Sequence, residues 1–221
     1  MHQRSINLTF HGIGEPERRL EPGEQDVWVS HGQFLAVLDA AAAGGDVRIS
    51  FDDGNASDVH HALPALRERG LNATFFVVAG RLGVPGFLDD GDVRMLAASG
   101  MTIGCHGMRH RAWRRLDERE LREELVDAKL VLEQTVGRPV DEAACPFGSY
   151  DRRVLRSLRR SGYRHVYTSD GGAAHPEAWL QARTTVGPRD GADLLDRIAS
   201  ADGPPHKALG RRVKQVVKQW R

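Results

Sequence analysis

The chain has 221 residues, of which 40% are hydrophobic and 28% are charged, as in an ordinary globular domain with one sizeable core. Its formal net charge of +1 gives no reason to expect a nucleic acid as a partner. Two cysteines cannot form a disulfide framework, and the chain shows neither a signal-peptide pattern nor an apolar run long enough to span a bilayer. These features predict a soluble, cytoplasmic, single-domain protein.

Seven short apolar segments, most of which end in glycine, alternate along the chain with segments of helical spacing. They cover residues 6–12, 46–54, 72–80, 101–107, 142–149, 165–172 and 182–187. This alternation indicates βαβ units, and near-continuous apolar strands are typical of a parallel sheet covered on both faces. Seven strands in one α/β chain favour a closed barrel over an open doubly wound sheet, although periodicity alone does not separate the two.

The best-marked helix covers residues 117–137. Acidic residues crowd its first turn, and Gly137 with the following Pro139 ends it. One apolar stripe runs along it, formed by Leu121, Leu125, Ala128, Leu132 and Val136. Nothing in this pattern suggests a chemical role for the helix.

Polar side chains follow several predicted strands, at the ends where parallel α/β folds collect their functional groups. His11 follows the first strand, Asp52 and Asp53 end the second, and His106 and His110 follow the fourth. A carboxylate with two imidazoles from separate strands is the ligand set of a catalytic zinc-type site, which keeps an open position for water. Taken singly, Asp-Asp-Gly is also a common turn and a histidine pair is commonly just exposed, so the metal site rests on their joint placement.

The two neighbouring carboxylates should have different roles, because adjacent residues at a strand end point in different directions. One can bind the metal while the other accepts a proton from the water that the metal activates. Cys105 is an alternative nucleophile, but if His106 faces the site its neighbour points into the packing. We therefore expect Cys105 and Cys145 to be buried structural thiols.

Three segments carry a family resemblance: ISFDDGNASD (49–58), GCHGMRH (104–110) and ACPFGSYD (144–151). In this order and at this spacing they resemble the polysaccharide deacetylase family, with its NodB-homology domain (carbohydrate esterase family four). The resemblance covers roughly residues 46–187. It implies a distorted (β/α)7 barrel, a divalent metal that is usually zinc, and hydrolysis of an N- or O-linked acetyl group on a sugar.

Matched position by position, the resemblance implies a role for each motif residue. Asp52 is similar to the general base, and Asp53, His106 and His110 are similar to the metal ligands. The Cys-Pro-Phe-Gly turn matches the family's third motif, in which the backbone N–H of Phe147 would donate to the oxyanion, helped by the metal.

The chain departs from the family pattern at several positions. Ser50 stands where Thr is usual, Gly107 where Ser or Thr is usual, and Ala144 where the family commonly has an Arg that orients the base. A C-terminal Leu-x-x-His, whose imidazole protonates the departing amine in the family, is missing after residue 187. His11 is the leading candidate for a substitute acid, because it ends the first strand at the same mouth, and a structural or substrate-orienting role is the other interpretation. His175 is a less favoured candidate for the acid.

Three further residues are candidates for contact with the substrate. Asp170 ends the sixth strand and would orient a histidine or contact the substrate, or else only form a turn. Trp28 and Trp179 would stack on a sugar ring, and packing within their own loops is an equally good interpretation.

We predict a catalytic barrel over residues 1–203 and a basic amphipathic helix over residues 204–221. The last sixteen residues, HKALGRRVKQVVKQWR, contain six Lys or Arg and no acid. A helix packed on the barrel is one interpretation, and an interfacial helix at the inner membrane leaflet is the other.

The primary hypothesis is a zinc-dependent deacetylase that acts on an acetylated sugar or polysaccharide. Two alternatives stay open: hydrolysis of a small non-glycan amide, and a metal-containing glycan-binding protein with weakened catalysis.

Overall fold

The computed structural model describes residues 4–201. Its strands are β1 (Ser5–Phe10), β2 (Val47–Asp53), β3 (Ala73–Val77), β4 (Thr102–Cys105), β5 (Glu142–Ala144), β6 (His165–Thr168), β7 (Ala173–Ala174), β8 (Leu180–Ala182) and β9 (Thr184–Thr185). Its helices are α1 (His31–Ala43), α2 (Leu63–Glu68), α3 (Asp90–Ala98), α4 (Glu118–Arg122), α5 (Ala128–Val136), α6 (Arg152–Arg160) and α7 (Leu194–Ala201).

Parallel strands close into a barrel in the order β1-β2-β3-β4-β5-β6-β8. After Arg183, β9 continues the direction of β8 and pairs in parallel with β1, so that one interrupted seventh strand joins the two edges. The two-residue β7 adds to β1 in antiparallel orientation. The expected single-domain (β/α)7 barrel is confirmed, and its distortion is centred on Arg183.

The main hydrophobic core lies between the barrel wall and the helices. Leu8 and Phe10 of β1 are fully buried in it and alternate along the strand with Thr9, because successive side chains of a strand point to opposite faces. Phe51 of β2 stacks on Phe75 of β3 with ring centroids 4.7 Å apart. The apolar residues of the predicted strands are thus used on the outer face of the barrel.

Small polar side chains line much of the barrel interior. Ser50 of β2 lies in register between Thr9 of β1 and Thr74 of β3. Phe76 also belongs to this interior, and its ring occupies the place that a Cβ at Gly104 would take. An aliphatic interior would exclude a charged group. The small polar side chains at this axis can instead form hydrogen bonds with a buried guanidinium.

The helix predicted over residues 117–137 is present, with one irregular turn. The side chain of Asp117 accepts a hydrogen bond from the backbone N–H of Glu120 at 2.8 Å and caps α4. A π-helical turn, Glu123–Asp127, joins α4 to α5, and Gly137 ends the helix at φ 67°. Such turns insert one extra residue and often occur at functional sites.

The basic helix predicted for residues 204–221 lies outside the described residues, so the domain division at residue 203 stays a prediction. Between residues 4 and 201, no helix is both long and apolar enough to cross a membrane.

Candidate active site

A carboxylate and two imidazoles meet at the carboxyl ends of β2 and β4. Asp53 is the last residue of β2, His106 directly follows β4, and His110 lies four residues further on. Asp53 Oδ1 is 3.5 Å from His106 Nε2 and 3.1 Å from His110 Nε2. One ligand atom from each residue lies within 4.8 Å of the others. The three predicted ligands therefore form one group that a divalent cation can bridge.

Backbone strain is concentrated at this group. Among residues 4–201, the non-glycine residues with a positive φ are Asp53 (78°), His110 (51°) and Phe147 (57°), and all three are residues that the sequence had marked as functional. A side chain in the left-handed region costs free energy, so such residues persist where the surrounding structure enforces them, commonly at functional sites.

The His106 ring is fixed in the form that a metal requires. Its Nδ1 lies 2.9 Å from the carbonyl oxygen of Ala144, so an Nδ1–H donates there and Nε2 faces Asp53 with its lone pair. Burial lowers the pKa of His106 to about 4. The imidazole is therefore neutral at neutral pH and available as a ligand. This geometry, together with the buried Asp53 Oδ1 that has no hydrogen-bond partner within residues 4–201, fits a divalent metal.

Glu124 holds the loop that carries His110. Its buried carboxylate accepts hydrogen bonds from the backbone N–H groups of Met108 at 2.9 Å and Arg109 at 3.1 Å. Gly107 has φ 86°, and a Cβ there would collide with the Glu124 carboxylate. The departure at position 107 thus has a structural reason. The helix of residues 117–137, for which no chemical role was expected, supports this loop structurally, because Glu124 belongs to its π-helical turn.

The second carboxylate, Asp52, is bound by a buried arginine. Nη1 and Nη2 of Arg183 donate to Oδ1 and Oδ2 of Asp52 at 2.6 and 2.7 Å. Nη1 also donates to the hydroxyls of Thr9 at 3.1 Å and Ser50 at 3.0 Å. Burial alone would raise the pKa of Asp52, but the charge and hydrogen bonds of Arg183, with the nearby His106, hold it well below its usual range. Asp52 is therefore ionised and fixed in direction.

Arg183 contacts Asp52, the carboxylate that an arginine at position 144 was expected to orient. It stands 131 residues from Asp52 in the chain, in the break between β8 and β9, and its side chain points to the barrel axis. There its guanidinium lies 5.1 Å from the ring centre of Phe76 and 5.8 Å from that of Tyr167. The sequence analysis missed this residue. The available signal was a lone arginine inside a short segment predicted to be a strand.

Phe147 lies in a tight 3-10 turn, Pro146–Gly148, after β5. Its ring is 70% exposed and its centre is 4.6 Å from that of His110. The turn is closed by a hydrogen bond from the backbone N–H of Gly148 to the carbonyl of Cys145 at 2.9 Å. The predicted oxyanion donor is thus beside the candidate metal group, in a backbone with little freedom.

The family assignment follows from a direct comparison. A family model described as polysaccharide deacetylase matches residues 40–166, more than half of the chain. The chain belongs to the polysaccharide deacetylase family. The resemblance drawn from the three motifs is therefore confirmed. All three residues of the Asp-His-His group lie within the residues that the family model matches.

Relatives and solved structures agree with this family. YxkH from Bacillus subtilis (strain 168) is 24% identical over 194 residues, which cover 88% of this chain and 65% of YxkH, so the chain spans just under two thirds of that curated relative. The Streptococcus pyogenes deacetylase PplD, solved in complex with acetate, has a TM-score of 0.78 at 18% identity, covering 90% of this chain and 99% of PplD. The polysaccharide deacetylase BC0361 from Bacillus cereus has a TM-score of 0.77 at 20% identity, covering 88% and 68%. These likenesses show a shared deacetylase-family fold.

His11, the expected acid, lies close to both carboxylates of this deacetylase-family site. Burial raises the pKa values of Asp52 and Asp53, and His11 is among the neighbours that oppose this effect. Its Nδ1 is buried without a hydrogen-bond partner in the described range. The Trp28 ring packs on the backbone of Gly12, where no Cβ could fit, and its indole N–H donates to a carbonyl at 2.7 Å. Trp28 is thus held beside the end of β1, next to His11.

Asp170, another candidate for contact with the substrate, hydrogen-bonds to side chains of the protein itself. Its Oδ2 accepts hydrogen bonds from the Tyr150 hydroxyl at 2.6 Å and the Thr168 hydroxyl at 2.9 Å. Tyr150 is buried and closes the third family motif, so Asp170 braces the segment that carries Phe147.

Trp179 and His175 are not brought to the site. Trp179 directly precedes β8, at the end of that strand opposite to Arg183, and its indole N–H donates to the carbonyl of Tyr163 at 2.9 Å. His175 follows β7, which pairs with the first residues of β1. Both therefore lie towards the amino ends of the barrel strands, away from the metal group.

Asp58 is a buried acid that the sequence analysis missed. It lies in the π-helical turn Asp58–Ala62, and neither carboxyl oxygen has a hydrogen-bond partner within the described part of the chain. Burial, and after it the charges of Asp53 and Asp52, raise the pKa of Asp58 well above its usual range. Its surroundings therefore favour the protonated, uncharged form of this neighbour of the site.

Cys105 and Cys145 form no disulfide and are both buried, as expected. Burial raises the pKa of Cys105 to about 11, so this thiol is not a nucleophile at neutral pH.

Proposed function

We propose that the protein is a metal-dependent deacetylase that hydrolyses an N- or O-linked acetyl group of a sugar or polysaccharide. The observation that carries the proposal is the Asp53, His106 and His110 group with a separate carboxylate, Asp52, held next to it by Arg183. Family membership supports it, as does the shared fold of PplD, a deacetylase solved with acetate.

We propose zinc as the metal. One carboxylate oxygen and two imidazole nitrogens are a donor set that zinc commonly takes, and three protein ligands leave a position open. When bound, the metal polarises a carbonyl oxygen and lowers the pKa of water to about 7.

Asp52 is the general base in this proposal. Its Oδ2 lies 3.8 Å from Nε2 of His106, so its carboxylate reaches the space beside the ligand group. Arg183 occupies both oxygens from the side of the barrel axis, which keeps Asp52 ionised and prevents it from becoming a fourth ligand. Since Asp52 holds no proton at working pH, it can accept one from water as the water attacks the acetyl carbon.

Phe147 and His11 complete the set of roles. The backbone N–H of Phe147, held in a strained turn, is the donor to the developing oxyanion. His11 is the acid that protonates the departing nitrogen or oxygen, because it is the remaining imidazole near both carboxylates in the described range. Trp28 forms the wall beside His11, and Asp170 supports the Phe147 turn through Tyr150.

Metal content and acetate release from acetylated chitin oligosaccharides test the proposal on wild type, two site variants and one control variant. Wild type should contain one metal per chain and release acetate, Asp53→Asn should lose both, and Asp52→Asn should keep the metal and lose acetate release. Asp39→Asn, which removes an exposed carboxylate paired with Arg69 at 2.7 Å, is the control and should match wild type. Wild type without metal after reconstitution with zinc, or an active Asp52→Asn variant, would refute the proposed chemistry.

The same measurements address the two alternatives. Metal without acetate release would favour a glycan-binding protein. That hypothesis is motivated by the missing C-terminal histidine and the missing arginine at position 144, and Arg183 removes the second of these reasons. Release of ammonia or amine from a panel of small amides, but no acetate from sugars, would favour the amide hydrolase.

The leaving-group dependence of the reaction tests the role of His11. An activated aryl acetate needs little protonation of its leaving group, whereas a sugar acetamide needs a full proton transfer. His11→Gln should therefore lower kcat on the acetamide by roughly 100-fold and leave the aryl acetate within a few-fold of wild type. Equal losses on both substrates would assign His11 to substrate positioning.

A further inference from the structure

Helix α6 exposes an unusual concentration of arginine. Five of its nine residues are Arg and none is acidic, and its exposed members are Arg152, Arg156, Arg159 and Arg160, which we call the arginine face of α6. Arg156 stands one turn from each of the others, so the like charges repel along the helix. The helix dipole favours Arg159 and Arg160 in the last turn, but helix stability gives no reason for Arg152 and Arg156.

Some arginines elsewhere on the described surface pair with carboxylates, as Arg111 does with Glu120 at 2.6 Å. Arg156 makes no ion pair or side-chain hydrogen bond with residues 4–201, and the same is true of isolated exposed arginines such as Arg67 and Arg94. What distinguishes α6 is that four exposed arginines lie together on one nine-residue helix that contains no acid.

The arginine face borders a groove that also contains an aromatic ring. The groove has a volume of about 350 Å³ and is lined by Leu155, Arg156, Arg159, Ala178, Trp179 and Leu180. The Arg159 guanidinium lies 4.1 Å from the centre of the Trp179 ring, and the indole N–H is already bonded to the chain. The Arg159 guanidinium thus covers part of the ring, and the rest of the ring lines the same groove as the two guanidiniums.

The position of α6 connects this groove with the candidate active site. The helix starts at Arg152, directly after the segment that contains Phe147 and Tyr150, and its nine residues span about 13 Å. A chain-like ligand lying along the arginine face would extend from the rim of the site to the groove at the amino end of β8.

We propose that the arginine face of α6 and the Trp179 groove bind an acidic polysaccharide, with sugar carboxylates on the arginines and a sugar ring on Trp179. A uronic acid unit matches both features of the groove. It has an apolar ring face that can lie on Trp179 and a carboxylate that a guanidinium can hold with two hydrogen bonds. The segment of residues 202–221 is not the occupant, because it carries six Lys or Arg and one acid, Asp202. This inference rests on the proposed function, since it names the class of polymer that the deacetylase would take.

Calorimetric titration with a polygalacturonate oligosaccharide tests the surface directly. Wild type should bind it, with affinity that falls as salt is raised, and Arg156→Gln/Arg159→Gln should bind at least tenfold more weakly. Arg67→Gln/Arg94→Gln removes the same charge from exposed positions on α2 and α3 and should bind as wild type does. A neutral oligomer of N-acetylglucosamine should show no difference between the two double variants.

The proposal is overturned if wild type fails to bind polygalacturonate, or if the α6 variant binds it as tightly as the control. It is also overturned if binding to duplex DNA or to anionic lipid vesicles is as tight and is lost equally, because the surface would then recognise charge alone. Failure of the proposed function is separate: acetate release from a small acetylated sugar should be unchanged in the α6 variant, and its absence from wild type would leave the binding result intact.

Discussion

Replacing Arg183 by Met removes the charge that balances Asp52 while keeping much of the side-chain volume. Both partners are nearly inaccessible, and the two hydrogen bonds between them are 2.6 and 2.7 Å long. Breaking a buried pair from one side leaves an uncompensated charge and costs about 3–5 kcal/mol. For a domain of this size, that loss lowers Tm by about 6–20 °C, at 2–4 °C per kcal/mol.

The loss of stability should depend on pH in a defined direction. In wild type the pKa of Asp52 is held below its unfolded value, so the ionised pair stabilises the fold above about pH 4 and this contribution is lost as pH falls. Without Arg183, burial raises the pKa of Asp52, and the variant instead loses stability as pH rises. The difference between the two proteins should therefore grow from pH 4 to pH 7.

Urea denaturation of chelator-treated protein at both pH values measures this difference. Arg197→Gln is the matched control, because its pair with Asp190 is equally short at 2.6 Å but exposed, and its loss should cost far less than the loss of Arg183. An Arg183→Met variant within 1 kcal/mol of wild type at pH 7, or a difference that shrinks as pH rises, would refute the reasoning.

Two further substitutions test the buried acid and the strained turn. Asp58→Asn should make the chelated protein more stable than wild type at pH 8 but not at pH 4, because a carboxyl with a raised pKa stabilises the fold only while it keeps its proton; the opposite sign in denaturation at the two pH values would mean that Asp58 is charged. Phe147→Gly should raise the stability by about 1 kcal/mol, since glycine adopts φ 57° without strain and the ring is mostly exposed; a lower Tm would show that the ring packs productively.

The metal group could be predicted from sequence because parallel topology constrains it. Asp53, His106 and His110 follow predicted strands, and every strand of such a sheet delivers its carboxyl end to the same mouth. Arg183 could not be found in this way, because its partner is 131 residues distant and only closure of the barrel brings the two together. Trp179 was offered as a sugar-stacking residue with loop packing as an equal alternative, and the structure places it at the end of β8 away from the metal group.

Glu124 shows a different reason for a missed residue. The apolar stripe of the 117–137 helix gave no reason to place Glu124 inside the fold. The π-helical turn brings Glu124 inward to the backbone of residues 108 and 109. An insertion of one residue in a helical turn is not visible in an apolar periodicity, since the stripe continues on both sides of it.

From the position of Arg183 we infer that Asp52, the proposed base, needs a guanidinium at the barrel axis, whichever position of the sequence supplies it. Side chains that point inward from different strands converge on that axis, and Ala144 on β5 leaves space in the same interior cluster as Phe76 and Tyr167. If this is correct, Ala144→Arg/Arg183→Ala should be more stable than Arg183→Ala alone, because the new guanidinium can balance Asp52. Ala144→Arg alone should be destabilised, since two cations would then share one carboxylate. Urea denaturation of the three variants measures both effects, and a double variant no more stable than Arg183→Ala would show that the pairing depends on the path of β8 and β9 and not on charge at the axis.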